Sequence, residues 1–360
     1  MVLNLKLEKI ALPGIEFKRP FIVSGPCSAE TEKQVLETAR RLVKHNVSIF
    51  RAGIWKPRTR PDSFEGLGSV ALPWLKKVRE ETGLYTITEV ANAWHVKEAI
   101  DNGIDILWIG ARTTANPFAV QELANAIKGL DIPVFIKNPI NPDIELWIGA
   151  IERFNKAGIK QIVAVHRGFS SYGVSLFRNI PQWEIPIELK RRIPDIPLLT
   201  DPSHICGSRE LLYGVSQKAM DLNFDGLFIE SHIDPENALS DKDQQITPEE
   251  LGELLNRLVL RKTRITNGHL IDTLTELRKQ IDNCDDEMMK IFEKRMKISE
   301  VIGENKKKSN ITILQPQRWN EILEKRIKMG TRMGLSQEFV AKIFRAIHQE
   351  SINMQNKVMN

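Results

Sequence analysis

The sequence predicts an α/β chain, a (β/α)8 barrel followed by an all-helical domain, and three observations carry that expectation. At 360 residues the chain exceeds the size at which one core stops growing, so about two domains are expected. Eight short, nearly continuous apolar runs alternate with amphipathic segments. Past residue 269 no strand-like run remains, prolines thin out, and the pattern turns to long stretches of helical period.

The strand-like runs are FIVSGPCS (21–28), SIFRAGI (48–54), YTITEV (85–90), ILWIGAR (106–112), PVFIKNP (133–139), IVAVHRG (162–168), PLLTDPSH (197–204) and GLFIESH (226–232). Each is apolar on both faces, as a buried parallel strand requires. Stretches such as EKQVLETARRLVKHN and IELWIGAIERFNKAG between them favour right-handed crossovers and a barrel. An open doubly wound sheet is the alternative, but every run carries polar or charged residues in its second half. That suits eight strand ends converging on one active face better than a single switch point. The leading LNLKLEKIALPGIEF is expected to form a small hairpin closing the barrel's bottom. The expected domains are a barrel over 1–260, a linker over 261–268 and a helical domain over 269–360. The first helix of the latter spans HLIDT to NKKK, with Leu270, Leu274, Leu277, Ile281, Met288, Ile291, Met296 and Ile298 largely at helical spacing. Such a helix cannot bury its stripe alone, so a homodimer is expected.

Composition narrows the function classes. Hydrophobic residues at 42% and charged ones at 27% describe a foldable globular chain. The net charge of +5 is uneven: residues 269–360 hold 17 Lys+Arg against 13 Asp+Glu, and residues 1–268 hold 34 against 33. Cations gathered in the N-terminal part therefore form a local site and not a nucleic-acid surface. Cys27, Cys206 and Cys284 are too few and scattered for a disulfide framework. With no signal-like start and no membrane-length apolar run, a cytoplasmic location away from membranes is expected.

Four potential metal ligands stand at or after separate strand ends: Cys27, His204, Glu230 and Asp241. A lone Cys27 would read as a small buried hydrophobe and a lone His204 as a structural histidine, but their shared placement points to a ligand set. Thiolate, imidazole and carboxylates together suit a borderline first-row divalent ion such as manganese, iron, cobalt or zinc; manganese is the cofactor expected. Six cations share that face: Arg51, Lys56, Arg58, Arg112, Lys137 and Arg167. Burying unpaired charge is costly. Either barrel carboxylates compensate them or, more economically because acidic residues there are few, a multiply charged phosphate does.

These residues carry a resemblance. SGPCS, KPRT (56–59), GAR (110–112), IKNP (136–139), DPSH (201–204), and E-x-H followed by ALSD resemble 3-deoxy-D-arabino-heptulosonate 7-phosphate (DAHP) synthase of the compact, type I beta class, over residues 20 to about 245. The resemblance implies a TIM barrel that condenses phosphoenolpyruvate with erythrose 4-phosphate. It implies metal ligation by Cys27, His204, Glu230 and Asp241, and phosphoenolpyruvate binding by Arg51, Lys56, Arg112, Lys137 and Arg167. The run Lys56, Pro57, Arg58, Thr59, chiefly its last two residues, would take the sugar phosphate. Lys56 and His204 are the candidate acid and base for water addition. Lys242 after Asp241, and Ile205-Cys206 after His204, depart from the family's usual glycine and small residues.

In the long helix Arg278, Arg295 and Lys306 are spaced by 17 and 11 positions, near whole turns; by themselves they would be a solvated stripe. With Arg318, and Ser351 and Gln355 four apart on a last helix, they resemble the all-helical chorismate mutase over about 269–360, a fold that forms an intertwined dimer. The resemblance implies that Arg278, donated across the dimer, Arg295, Lys306 and Arg318 bind the carboxylates and ether oxygen of chorismate, with Ser351 and Gln355 adding hydrogen bonds. Rearrangement to prephenate needs no nucleophile or proton shuttle. Trp319 and Gln315 stand where the family often has acidic residues. Fusion further implies feedback inhibition of the barrel by prephenate or chorismate and leaves room for a higher oligomer. The alternatives are a barrel using Lys137 as a Schiff-base nucleophile, a related octulosonate 8-phosphate synthase, and helices that only dimerise and sense.

Overall fold

The computed structural model describes residues 3, 5–57, 63–173, 175–262 and 267–359. The chain divides into two compact units, Met1–Thr263 and Arg264–Asn360.

In the first unit, eight parallel strands close into a barrel in sequence order. They are β1 (Phe21–Gly25), β2 (Ile49–Arg51), β3 (Tyr85–Val90), β4 (Ile106–Ile109), β5 (Val134–Lys137), β6 (Ile162–His166), β7 (Leu198–Thr200) and β8 (Gly226–Glu230). The expected fold class is borne out, and each strand lies within one of the eight apolar runs. Every strand residue is buried except the half-buried Glu89, which explains why the runs read as continuous rather than alternating. The helices are α1 (Glu32–Leu42), α2 (Leu72–Thr82), α3 (Ala93–Asp101), α4 (Ala111–Thr114), α5 (Pro117–Ala126), α6 (Ile144–Lys156), α7 (Glu184–Arg192), α8 (Pro202–Cys206), α9 (Leu212–Asp221) and α10 (Pro248–Arg257).

Two apolar layers result. Strand side chains facing outward pack with the helices, and those facing inward, including Val23, Ile87, Trp108, Phe135, Val163 and Phe228, fill the barrel. The barrel is therefore a packed core and not a pore. The expected N-terminal hairpin is not formed: among the described residues this segment has a single antiparallel bridge, Leu12 with Ile15. Pro13 and Gly14 turn the chain too tightly for a ladder. Ile10 and Leu12 nevertheless join the inner layer, and Tyr85 donates to the Pro13 carbonyl, so the segment plugs the barrel's bottom without strands.

The second unit comprises α11 (Gly268–Lys308), α12 (Pro316–Arg332) and α13 (Gln337–Met359). At 41 residues, α11 is roughly 60 Å long. Gly303 lets α13 approach its C-terminal half closely: a Cβ there would lie 2.5 Å from Val358 Cγ2. No helix among the described residues is long and apolar enough to cross a membrane.

Candidate active sites

At the C-terminal mouth of the barrel an open cavity of about 420 Å³ is lined by Lys56, Pro57, Ser63, Glu89, Gly110, Ala111, Arg112, Lys137, Arg167, Arg178, His204 and Asp241. The close approach of β1 to β2 delivers Cys27 there. Gly25 is needed because any Cβ would run into the Arg51 carbonyl. At Gly110 a Cβ would instead meet the Glu89 carboxylate, the mobile end of a side chain that could shift. Arg58 and Thr59 lie outside the described residues.

Cys27, Glu230 and Asp241 present one ligand atom each, all within 4.8 Å of one another. Cys27 Sγ is 3.2 Å from Asp241 Oδ2. His204 stands beside them, its Nδ1 3.8 Å from Glu230 Oε1 and 2.8 Å from Asp201 Oδ2. Asp241 occupies a left-handed conformation, φ 48°, which Asp tolerates better than most residues. Burial, then Glu230, pushes the Cys27 thiol up to about 12. Burial opposes the Asp241 carboxylate, yet Arg178, His204 and Lys56 hold it well below the usual range. Burial also opposes Glu230, which His204 and Arg51 hold low. Burial pushes the His204 imidazole down. A buried thiol among ionised carboxylates, beside an imidazole whose protonation burial opposes, fits a borderline divalent ion that would supply the charge needed to deprotonate sulfur.

The cations fall into two groups. Arg51 is fully buried, its Nη2 2.9 Å from Glu230 Oε1, and Lys137 Nζ is 2.7 Å from Asp201 Oδ2. Both lie over the rings of Trp108 and Phe228. Barrel carboxylates thus compensate these two, contrary to the expectation that such groups are too few. Even so, Arg51 Nε and Nη1 make no hydrogen bond to a described residue. Lys56, Arg112 and Arg167 line the cavity itself. Lys56 Nζ donates to the Cys27 carbonyl at 2.9 Å and approaches its Sγ at 3.0 Å. Arg167 Nη1 donates to Asn179 Oδ1 and its backbone N–H to Asn138 Oδ1, at 2.7 Å each, and burial lowers its guanidinium to about 10.

Asp201 is the residue sequence reasoning missed. It caps α8 by accepting from His204 N at 3.0 Å while its other oxygen meets Lys137 and the His204 ring. Its signal was present in DPSH, an acid directly at a strand end and at an N-cap position before Pro202. Arg178, Gln244 and Gln245 were also missed. Arg178 Nη1 bonds Asp241 Oδ1 at 3.0 Å and Gln244 Oε1 at 2.7 Å, Gln244 donates to Glu230 Oε2 at 2.7 Å, and Gln245 Oε1 accepts from Cys27 N at 2.8 Å.

In the second unit, Arg295 donates to Ser351 Oγ across α11 and α13, and Ser351 and Gln355 are buried on one face of α13. Lys306 Nζ donates to the Ile313 carbonyl at 2.5 Å. Burial lowers both the Arg295 and the Lys306 cation from their usual values. Arg318 is instead turned outward to Glu321, 3.1 Å away. Arg278 is exposed and, 17 positions before Arg295, roughly 25 Å from it along the same helix. One chain therefore does not bring Arg278 to the Arg295–Ser351 pair.

An eight-stranded barrel with a cationic, carboxylate- and thiol-bearing mouth, joined to a cation-bearing helical unit, defines a phosphate-handling barrel enzyme with a helical appendage. Residues 15–266 match the model of the DAHP synthetase I family, and the chain belongs to that family. Residues 277–356 match chorismate mutase type II, so both enzyme domains are present. The chain is 31% identical to phospho-2-dehydro-3-deoxyheptonate aldolase of Thermotoga maritima over 237 residues, 66% of this chain and 68% of that one. It is 29% identical to 2-dehydro-3-deoxyphosphooctonate aldolase of Geobacter sulfurreducens over 264 residues, 67% of this chain and 92% of that one. The crystal structure of the Thermotoga maritima DAHP synthase superposes with a TM-score of 0.62 at 29% identity, covering 70% of this chain and 72% of that one.

Proposed function

We propose that the barrel condenses phosphoenolpyruvate, erythrose 4-phosphate and water to DAHP and phosphate with a bound divalent ion, and that the helical unit rearranges chorismate to prephenate. The observation that carries the first half is the convergence of Cys27, Glu230 and Asp241 within 4.8 Å beside a cationic cavity. Cys27, His204, Glu230 and Asp241 would hold the ion. When bound, it supplies Lewis acidity toward the sugar aldehyde. Arg51, Lys56, Arg112, Lys137 and Arg167 hold the phosphate and carboxylate of phosphoenolpyruvate, offsetting its repulsion with the second anion. Lys56, Pro57, Arg58 and Thr59 take the sugar phosphate. For the water that adds at carbon 2, His204 is the candidate acceptor of its proton through a ring nitrogen not bound to the ion, and the ammonium of Lys56 the candidate donor. Dialysis against EDTA should abolish condensation, and manganese or cobalt should restore it. Full activity in chelator, or borohydride trapping of substrate on Lys137, would reject the metal reading. Because a 2-dehydro-3-deoxyphosphooctonate aldolase is also a close relative, arabinose 5-phosphate is the competitor to assay. Turnover of it in preference to erythrose 4-phosphate would replace the substrate.

For the helical unit, Arg295, Lys306, Ser351 and Gln355 from one chain and Arg278 from a second copy would enclose the folded dianion, with Arg318 swinging in from Glu321. The homodimer reading is supported by α11: from His269 to Ile291 every residue but the half-buried Leu274 is exposed, Leu277, Ile281, Met288 and Ile291 included, an apolar stripe that needs a partner. We further propose that prephenate or chorismate bound here inhibits condensation. Arg295→Ala should lose chorismate turnover and make condensation insensitive to prephenate; inhibition undiminished in that variant would reject the regulatory role.

A further inference from the structure

Trp319, in the first turn of α12, stacks on His348 of α13, with centroids 3.9 Å apart and planes 15° from parallel. His348, Ser351 and Gln355 are spaced i, i+3 and i+7, so they share one face of α13. Arg295, which donates to Ser351, also reaches the carbonyl of Ile347, at 3.5 Å. The aromatic pair therefore borders the same polar cluster. Burial, then Arg295 and Lys306, lowers the His348 imidazole from its usual value. A pair serving only to join α12 to α13 would gain from full burial, yet both rings remain partly exposed.

We propose that the Trp319–His348 stack is a substrate-contacting wall of the helical site, taking the unsaturated carbocycle of a cyclic dicarboxylate while the neighbouring cations take its carboxylates. The proposal rests on the mutase reading and adds a specificity-determining surface to it. Flat aromatic faces favour unsaturated rings by amounts that correspond to roughly tenfold in affinity. In the full-length protein, Trp319→Ala is expected to raise KM for chorismate about tenfold while kcat falls less than threefold, and Trp319→Phe to stay within threefold of wild type in KM. Prephenate titrated into wild type should quench tryptophan fluorescence, and that component should vanish in Trp319→Phe. Far-UV dichroism and the helical unit's melting transition report whether each variant folds; if the alanine variant misfolds, the Trp319→Phe quenching experiment decides. An unchanged KM in folded Trp319→Ala, or quenching that persists in Trp319→Phe, overturns the wall. Wild type that binds prephenate through Trp319 but does not turn over chorismate keeps the wall and rejects the mutase reading; wild type that does neither rejects both.

Discussion

Asp201 shows how one carboxylate can organise a site built from cations. It accepts from Lys137 and the backbone of His204, lies against the His204 ring and faces Arg51 at 3.9 Å. Removing its charge leaves buried cations short of compensation, the costly way to break such a pair. Asp201→Asn should therefore lower condensation kcat by about 100-fold or more and destabilise the barrel by about 3 kcal/mol, measured by steady-state kinetics and urea unfolding; a near-wild-type variant would show that its contacts are incidental. Arg178 acts on the proposed ion through Asp241 and, by way of Gln244, through Glu230. Arg178→Ala should weaken manganese binding about 10–100-fold, read by calorimetry independently of turnover. His166 makes a pH prediction. It is fully buried with Nε2 2.6 Å from the Pro181 carbonyl, and burial pushes its imidazole down to about 4 from the usual 6.5. The folded state thus favours the neutral ring. The contribution is complete above pH 6.5 and is lost as pH falls toward 4, about 3 kcal/mol at most. Unfolding free energy should fall across that window in wild type and less steeply in His166→Gln, where no titrating ring remains.

Elements differ in how much of their environment they carry within one chain. The barrel strands are buried on both faces by their own unit, whereas the first half of α11 is exposed along an apolar stripe. Ile281→Glu, placing a charge in that stripe, should shift the protein toward monomer in sedimentation while leaving condensation intact; an unaltered dimer would mean that another surface associates. The other half of α11 depends on close helix approach. Gly303→Val would drive a branched side chain into Gln355 and Val358, costing about 1–3 kcal/mol by overpacking. Chorismate turnover should then fall with the helical unit's melting transition, while condensation persists.

Across the whole molecule, two chemistries on two compact units predict separable losses: Cys27→Ala should remove condensation and spare chorismate turnover, and Arg295→Ala should do the reverse. The fold class was legible in the sequence because hydrophobic period is a local property. A strand buried on both faces must be continuously apolar, and a long helix must keep its spacing, so YTITEV, ILWIG and the residues from His269 onward announced themselves. The N-terminal hairpin was misread because the same alternation of leucines that suits a strand also suits a segment plugging the barrel, and only packing against Tyr85 and the inner layer distinguishes them. The candidate ligands Cys27, His204, Glu230 and Asp241 could be listed from strand ends, since barrel topology brings all such ends together. Which cations pair with carboxylates, and which face the cavity, depends on side-chain direction at distances of a few ångströms. That made the ionic partners of Asp201 and Arg178 matters of tertiary structure: Lys137 and Asp241 stand 64 and 63 positions from them, and such compensation is settled between residues far apart in sequence, whereas secondary structure and its burial pattern are written residue by residue along the chain.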